Sequence, residues 1–205
     1  APSVQRDVIC LRFDDKNAAV VVLTIRNGRL TLADSFLFDR AQLEPPEAGM
    51  SAFVKQHYLQ RTDIPREILL SVLPDEADLL EQYLTGRAGR RVHLRVPQRG
   101  EARRVLELAE RNAEQSLARL SDREEKVRRG VAELGALTGL AQPPRRIEAV
   151  DISNTSGSEV VGGIVVFVDG RPSKKDYKRY KIKTVEGQDD YESMREVVWR
   201  RMRRF

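Results

Sequence analysis

The sequence predicts an α/β protein built around a mixed β-sheet. Over residues 1–96, apolar β-branched runs of strand length alternate with amphipathic stretches of helical spacing. The dipeptide Asn27-Gly28 separates the second run from the third, and it is the strongest short-range signal for a β-hairpin. The predicted order of elements is therefore β-β-β-α-β-α-β, followed by further helix.

Each element in this order has its own local signal. The strands are apolar and bounded by turn residues, and the second helix starts on an N-cap candidate followed by acids. The predicted strands are Val8–Phe13, Ala18–Ile25, Leu30–Phe38, Glu67–Leu73 and Val92–Val96, and the predicted helices are Gly49–Leu59 and Asp75–Leu84. Three antiparallel strands followed by helical crossovers to parallel strands form the topology of the RNase H-like fold. The pattern alone predicts an α/β unit with a mixed sheet, and by analogy of topology we predict an RNase H-like unit for residues 1–98, with its helix reaching to about residue 141.

A long charged helix is predicted for residues 100–141. Apolar residues recur on one face at every seventh position, namely Leu106, Ala113, Leu120, Val127 and Leu134. This face is compatible with a helix packed on its own sheet and with a dimeric coiled coil. We expect a kink near Ser121-Asp122 or Gly130, and two consecutive prolines then end the helix. The segment is interpreted as a connector.

Residues 145–205 restart the pattern of the first unit. The Asp169-Gly170 turn aligns with Asn27-Gly28 at an offset of 142 residues. In both places an apolar run precedes the turn, and a strand and an amphipathic helix follow it. We predict an incomplete second RNase H-like unit with the order β-β-β-α. Two hairpin-bearing domains could also match this well by chance, so duplication is one of two explanations.

Asp151 is the candidate catalytic and metal-binding residue. It lies near the end of the predicted strand Ile147–Ile152, where a carboxylate is unusual because strands disfavour Asp and an unpaired buried charge is costly. A divalent ion such as Mg²⁺ or Mn²⁺ removes that cost, since it prefers carboxylate oxygens. Alternatively, Asp151 caps the following SNTSG turn through an Asx-type hydrogen bond. A two-metal site needs several carboxylates, so Asp151 cannot build one by itself.

The first unit has no acid at the matching position. Ile9 aligns with Asp151 without gaps, and Arg12 does so if the loop is shortened by three residues. Asp14 and Asp15 look like turn residues after the first strand. We therefore interpret the first unit as a degenerate scaffold that lacks catalytic acids.

A basic strand is predicted at Tyr177–Lys183, preceded by a basic turn. Alternation places three of its cations on one face, which could follow a phosphate backbone. The candidate nucleic-acid-binding residues are Lys174, Lys175, Arg179, Lys181 and Lys183. A solvated outer face without a ligand is the alternative.

Composition describes an ordinary globular chain with a weak preference for polyanions. Hydrophobic residues make up 40% and charged residues 33% of the 205 residues, and no apolar run reaches the length of a membrane span. The net charge is +5, and all of the excess lies after residue 96. The single cysteine, Cys10, cannot form an intramolecular disulfide, so we expect a reducing, cytoplasmic location and no membrane contact.

Residues 147–205 resemble the start of the catalytic domain in the UvrC family, the nuclease subunit of bacterial nucleotide excision repair. The resemblance rests on three motifs: DISNTSG at Asp151–Gly157, GRPSKKDYKRYKIK at Gly170–Lys183 and DDYESMREVVWRR at Asp189–Arg201. The earlier segments REILL and RRVHLRVPQRGE and the long helix are similar to the region that precedes this domain in the family. The resemblance therefore covers essentially the whole chain.

The resemblance implies a DNA-repair endonuclease of the DNA-damage (SOS) response. It would incise damaged double-stranded DNA on both sides of a lesion after recruitment by UvrA and UvrB. The 5′ cut would use two Asp and one His with Mg²⁺ or Mn²⁺, and Asp151 matches the first Asp. The resemblance places the second Asp and the His beyond Phe205, and the UvrB-binding motif outside this stretch. We therefore expect the 205 residues alone to bind no catalytic metal and to incise no DNA.

Two other functions stay open. The chain could be a non-catalytic platform that binds DNA or a partner without a metal site of its own. It could also be a separate small RNase H-like enzyme, which requires activity of the 205 residues with Mn²⁺. Tight, salt-dependent DNA binding by residues 1–140 would argue against a purely structural role for that part.

Overall fold

The computed structural model describes residues 5–155, 159–185 and 189–203. The chain forms two compact units, Ala1–Asp122 and Arg123–Phe205. The long helix contributes its first part to the first unit and its last part to the second.

The first unit contains a five-stranded mixed sheet. Its strands are β1 (Arg6–Phe13), β2 (Asn17–Arg26), β3 (Arg29–Asp39), β4 (Glu67–Leu70) and β5 (His93–Arg95), and its helices are α1 (Pro46–Tyr58), α2 (Ala77–Ala88) and α3 (Gly100–Leu137). The strand order is β3-β2-β1-β4-β5. The first three strands are antiparallel, and β4 and β5 join in parallel. The predicted RNase H-like topology is therefore confirmed.

The strands β1 and β2 of this sheet are buried on both faces. On one face, Ile9 of β1 belongs to a cluster that includes Met50 of α1. On the other face, Cys10 belongs to a cluster that includes Leu106 and Ala109 of α3. Residues of β2 are accordingly buried in an unbroken run, which is typical of a strand covered from both sides.

Helix α3 packs its first half on its own sheet. Its buried residues in this half are Ala102, Leu106, Ala109, Ala113 and Leu117. The amphipathic-helix explanation of the seven-residue pattern therefore accounts for this half. The helix runs without interruption through Ser121-Asp122 and Gly130, where we expected a kink.

The described residues of the second unit form a smaller antiparallel sheet and a further helix, in addition to the last part of α3. Its strands are β6 (Arg146–Thr155), β7 (Glu159–Val168), β8 (Arg171–Pro172) and β9 (Lys178–Lys181), and its own helix is α4 (Asp190–Met202). Strand β7 is central, because it pairs with β6, β8 and β9. The predicted β-β-β-α order is present, but β6 continues three residues past the predicted end. Asp151 thus lies inside β6 and not at its end, since pairing with β7 outweighs the low strand propensity of the residues that follow.

Helix α4 packs closely on the second sheet. The buried cluster contains Ile164, Val166, Tyr180 and Val197. Gly162 permits this approach, because a Cβ at that position would lie 2.4 Å from Val197 Cγ2.

Each unit ties the start of its first strand to the end of the helix that follows its hairpin. In the first unit, the Tyr58 hydroxyl at the end of α1 donates a 2.6 Å hydrogen bond to the buried Asp7 carboxylate of β1. In the second, Arg201 near the end of α4 donates two hydrogen bonds to Glu148 of β6, at 2.7 and 2.8 Å. The shared arrangement supports the duplication that the sequence suggests.

The strand register corrects the alignment of the two units. Cys10 pairs with Val21, and Asp151 pairs with Gly163. Both partners lie six residues before their hairpin turns, so Cys10 is the counterpart of Asp151. The matches to Ile9 and Arg12 are wrong, because the chain from Cys10 to Val21 is one residue shorter than the chain from Asp151 to Gly163.

Membrane insertion through a helix has no support in the described part of the chain, where every helix is too short or too polar to cross a bilayer.

Gly162→Ala is expected to lower the free energy of unfolding of the second unit by about 1–3 kcal/mol, because the new methyl group overpacks the contact with Val197. Gly163→Ala is the matched control, since its Cβ would meet only the Asp151 main-chain oxygen, at 3.9 Å. Denaturant unfolding followed by the fluorescence of Trp199, the single tryptophan, measures both variants. Equal loss of stability in the two variants would contradict the close packing of α4 on β7.

Candidate functional site

Asp151 lies on the face of the second sheet that points away from α4. Residues paired directly across antiparallel strands share a face, so Asp151, Gly163 and Arg179 form one row across β6, β7 and β9. The neighbouring row contains Ile152 and Tyr180, and it packs toward α4. The Asp151 side chain is exposed and accepts a 3.1 Å hydrogen bond from Ser153 Oγ.

Glu148 holds the strand that carries Asp151. It is three residues earlier on the opposite face of β6 and forms ion pairs with Arg201 of α4 and with Arg146. The hydrogen bonds from Arg201 and then Arg146 lower the pKa of the Glu148 carboxyl to about 2. The strand is therefore clamped to the helix on one face, and the other face presents Asp151.

The Asx-type capping explanation for Asp151 finds no support in the described residues. Its hydrogen-bond partner there is the Ser153 side chain, and no backbone N–H of residues 5–155, 159–185 or 189–203 donates to it. The SNTSG turn includes residues 156 and 157, which lie outside the described part of the chain.

The described residues contribute one carboxylate, that of Asp151, toward a metal site. Its oxygens are the type of ligand that Mg²⁺ and Mn²⁺ prefer, and its exposed position fits a single ligand. No group of three or more potential metal-ligating side chains occurs among the described residues. These residues therefore do not form a complete divalent-metal site by themselves.

The five predicted nucleic-acid-binding residues are all exposed but do not share one strand face. Arg179 and Lys181 lie in β9 on the same face as Asp151. Lys174 and Lys175 lie in a short 3₁₀ turn before the strand. Lys183 follows the end of β9, so its predicted place in the strand is wrong. Its backbone N–H is instead held by the carboxylate of Glu196.

Glu196 is a structural residue that sequence reasoning missed. It is 8% exposed, and it accepts hydrogen bonds from the backbone N–H groups of Lys183 and Thr184, from the Thr184 hydroxyl and from Arg200. Burial opposes its ionisation, but these hydrogen bonds lower the pKa of Glu196 to about 2. The contact anchors the chain that leaves β9.

In the first unit, helix α3 covers the corresponding face of the sheet. Cys10, the counterpart of Asp151, is fully buried among residues of β1, β2 and α3. Burial raises the pKa of its thiol to about 11. Asp14 accepts backbone hydrogen bonds from Lys16 and Asn17, as predicted for a turn residue. Helix α3 covers the sheet face that carries Cys10.

Two family profiles match the chain. One, described as "UvrC Ribonuclease H-like domain", matches residues 5–120. The other, described as "UvrC RNAse H endonuclease domain", matches residues 135–205.

Curated relatives are similar over nearly the whole chain. Three of them, each named "UvrABC system protein C", come from Anaeromyxobacter dehalogenans (42% identity over 199 residues), Caldanaerobacter subterraneus (39% over 199) and Acetivibrio thermocellus (37% over 203). The alignments cover 97%, 96% and 97% of this chain but 28%, 32% and 32% of the relatives. The chain therefore spans about a third of the length of these proteins.

The stability of the second unit is expected to fall as the pH is lowered from about 4.5 to 2. Glu148 and Glu196 have folded-state pKa values of about 2, below the ordinary value of 4.5, so their contribution is complete above pH 4.5 and is lost on acidification. Denaturant unfolding followed by Trp199 fluorescence at several pH values measures the decline. Glu148→Gln and Glu196→Gln should flatten it, whereas Glu192→Gln should not, and equal slopes in all three variants would contradict these pairings.

The Cys10 thiol is expected to resist labelling in the native chain. Its burial and raised pKa leave little exposed thiolate at pH 8, so a disulfide reagent such as DTNB should react only after unfolding. Chain unfolded in guanidinium is the control, because it must release one equivalent of thiol. Rapid labelling of the native chain would show that α3 does not cover this position.

Proposed function

The chain belongs to the UvrC family, and from this premise we propose that it is the central part of a DNA-repair endonuclease. The proposed enzyme incises damaged double-stranded DNA on both sides of a lesion in nucleotide excision repair. The two family profiles support this proposal, since one of them carries the term endonuclease in its description. The names of the relatives support partnership with UvrA and UvrB, which we propose recruit the protein to DNA in the cytoplasm.

The catalytic part of the proposal rests on the position of Asp151. It is an exposed carboxylate in the interior of a strand, on the sheet face that points away from α4. In the intact protein, Asp151 would supply one ligand to Mg²⁺ or Mn²⁺ at the 5′ incision site. Such an ion, when bound, supplies charge neutralisation to the phosphodiester. Residues outside the described set would complete the site, so we propose that the 205 residues alone do not incise DNA.

The first unit is proposed to act as a scaffold. Its counterpart of Asp151 is the buried Cys10, and α3 covers the face where an active site would need access to DNA. A non-catalytic platform is therefore a reasonable description of residues 1–122 in particular. Its role would be to support neighbouring parts of the protein.

Asp151→Asn in a full-length protein that contains this sequence is expected to lower the rate of 5′ incision of lesion-containing DNA by at least about a hundred-fold, because the uncharged amide is a poor metal ligand. Gel analysis of an end-labelled duplex in the presence of UvrA and UvrB measures the 5′ and 3′ cuts separately. The 3′ cut should persist.

Asp169→Asn is the matched control for this experiment. It also neutralises an exposed acid of the second unit, but Asp169 lies in the β7–β8 turn and pairs with Arg145. Normal 5′ incision by Asp151→Asn would reject the proposed role, and an equal loss in Asp169→Asn would mean that the effect is not specific to Asp151.

A further inference from the structure

Two adjacent glycines in the centre of β7 require different explanations. Glycine in a strand interior lowers stability and often marks close approach of another group. For Gly162 that group is α4, whose Val197 leaves no room for a Cβ. For Gly163, a Cβ would make one ordinary contact, with the Asp151 main-chain oxygen at 3.9 Å. The backbone φ angle of Gly163 is also not positive, so neither packing nor backbone conformation requires glycine there.

Gly163 forms the floor of a notch in the exposed face of the sheet. Along β7 on the same face, Val161 and Val165 stand on either side of it. Across the sheet, Asp151 and Arg179 are its direct neighbours on β6 and β9. Adjacent strands lie about 4.8 Å apart, so the Cα atoms of Asp151 and Arg179 are separated by about 10 Å with no side chain between them.

The two residues across this notch carry opposite charges. Arg179 is exposed, and the structure shows no ion pair for it within residues 5–155, 159–185 and 189–203. An anion in the notch is attracted by the guanidinium and repelled by the carboxylate, unless a cation accompanies it on the Asp151 side. A phosphodiester together with a divalent cation satisfies both neighbours. The planar guanidinium is also suited to bind two phosphate oxygens at once.

We propose that Arg179 binds the phosphodiester backbone of the substrate DNA and positions it over Gly163 toward Asp151. Gly163 lacks a side chain because the DNA backbone lies against the sheet at this point. The inference rests on the proposed endonuclease function and deepens it, since it names the residue that holds the substrate phosphate. Arg179 acts as a positioning residue. The preceding residue in β9, Lys178, faces the α4 side and has no such role.

The test compares Arg179→Gln with Lys178→Gln in a full-length protein that contains this sequence. Both variants remove one exposed positive charge from β9, but they do so on opposite faces. Arg179→Gln should slow 5′ incision by roughly ten- to a hundred-fold, as expected for loss of a charge-assisted hydrogen bond, and Lys178→Gln should leave it unchanged. DNA binding measured by fluorescence anisotropy in EDTA gives a second readout. Arg179→Gln should reduce its salt dependence by about one counterion.

Arg179→Lys separates charge from geometry. It should restore the salt dependence of binding in EDTA, because the charge returns, but only part of the incision rate, because an ammonium cannot hold two phosphate oxygens in the same plane. A residue with only a structural role would not show this split.

Gly163→Val tests the notch itself. It should slow 5′ incision at least ten-fold while the unfolding midpoint, followed by Trp199 fluorescence, stays close to that of the parent. If the valine variant is unstable, Gly163→Ala provides the same comparison with a smaller side chain. Normal incision by a stable Gly163 variant would overturn the close approach of DNA at this point.

The outcomes distinguish this inference from the function on which it rests. Equal behaviour of Arg179→Gln and Lys178→Gln overturns the role of Arg179, even where Asp151→Asn abolishes the 5′ cut and the endonuclease proposal stands. Normal incision by Asp151→Asn instead rejects the proposed function, and this inference is then rejected with it.

Discussion

The pairing register between β6 and β7 is the constraint on which the candidate site depends. A shift of one residue would move every side chain of β6 to the other face of the sheet. The register is held by packing, because Gly162 must face Val197 for α4 to lie on the sheet. Once Gly162 faces the helix, Gly163 and its partner Asp151 must face the other way. The exposure of Asp151 is therefore a consequence of how the hydrophobic face is buried.

The two units show how one topology yields a closed surface and an open one. Both place a carboxylate early in the first strand and tie it to the end of the next helix, through Tyr58 in one unit and Arg201 in the other. They differ on the opposite face of the sheet. There α3 buries Cys10 in the first unit, whereas the described residues leave Asp151 exposed in the second. Covering the sheet adds buried apolar area and stability, but it removes access for a large ligand.

Much of the basic character of the second unit serves its own fold. Arg200 and Arg201 are paired with Glu196 and Glu148. The hydrogen bonds from Arg201 are the main cause of the lowered pKa of Glu148. The net positive charge of the sequence therefore overestimates the number of cations that are available to bind DNA. The position of a cation in the sheet is more informative than its number, as Arg179 and Lys178 show by being adjacent in sequence and on opposite faces.

The sequence by itself determined the order of the elements, both hairpin turns and the RNase H-like topology, because these depend on local period and on motifs. It did not determine the end of β6, the match between Asp151 and Cys10, the position of Lys183 or the separate roles of Gly162 and Gly163. Each of these depends on which residues pair across strands or meet a helix. A gapless alignment cannot detect a loop that differs by one residue. Strand pairing detects it at once, since an error of one position would put a charged side chain in the core.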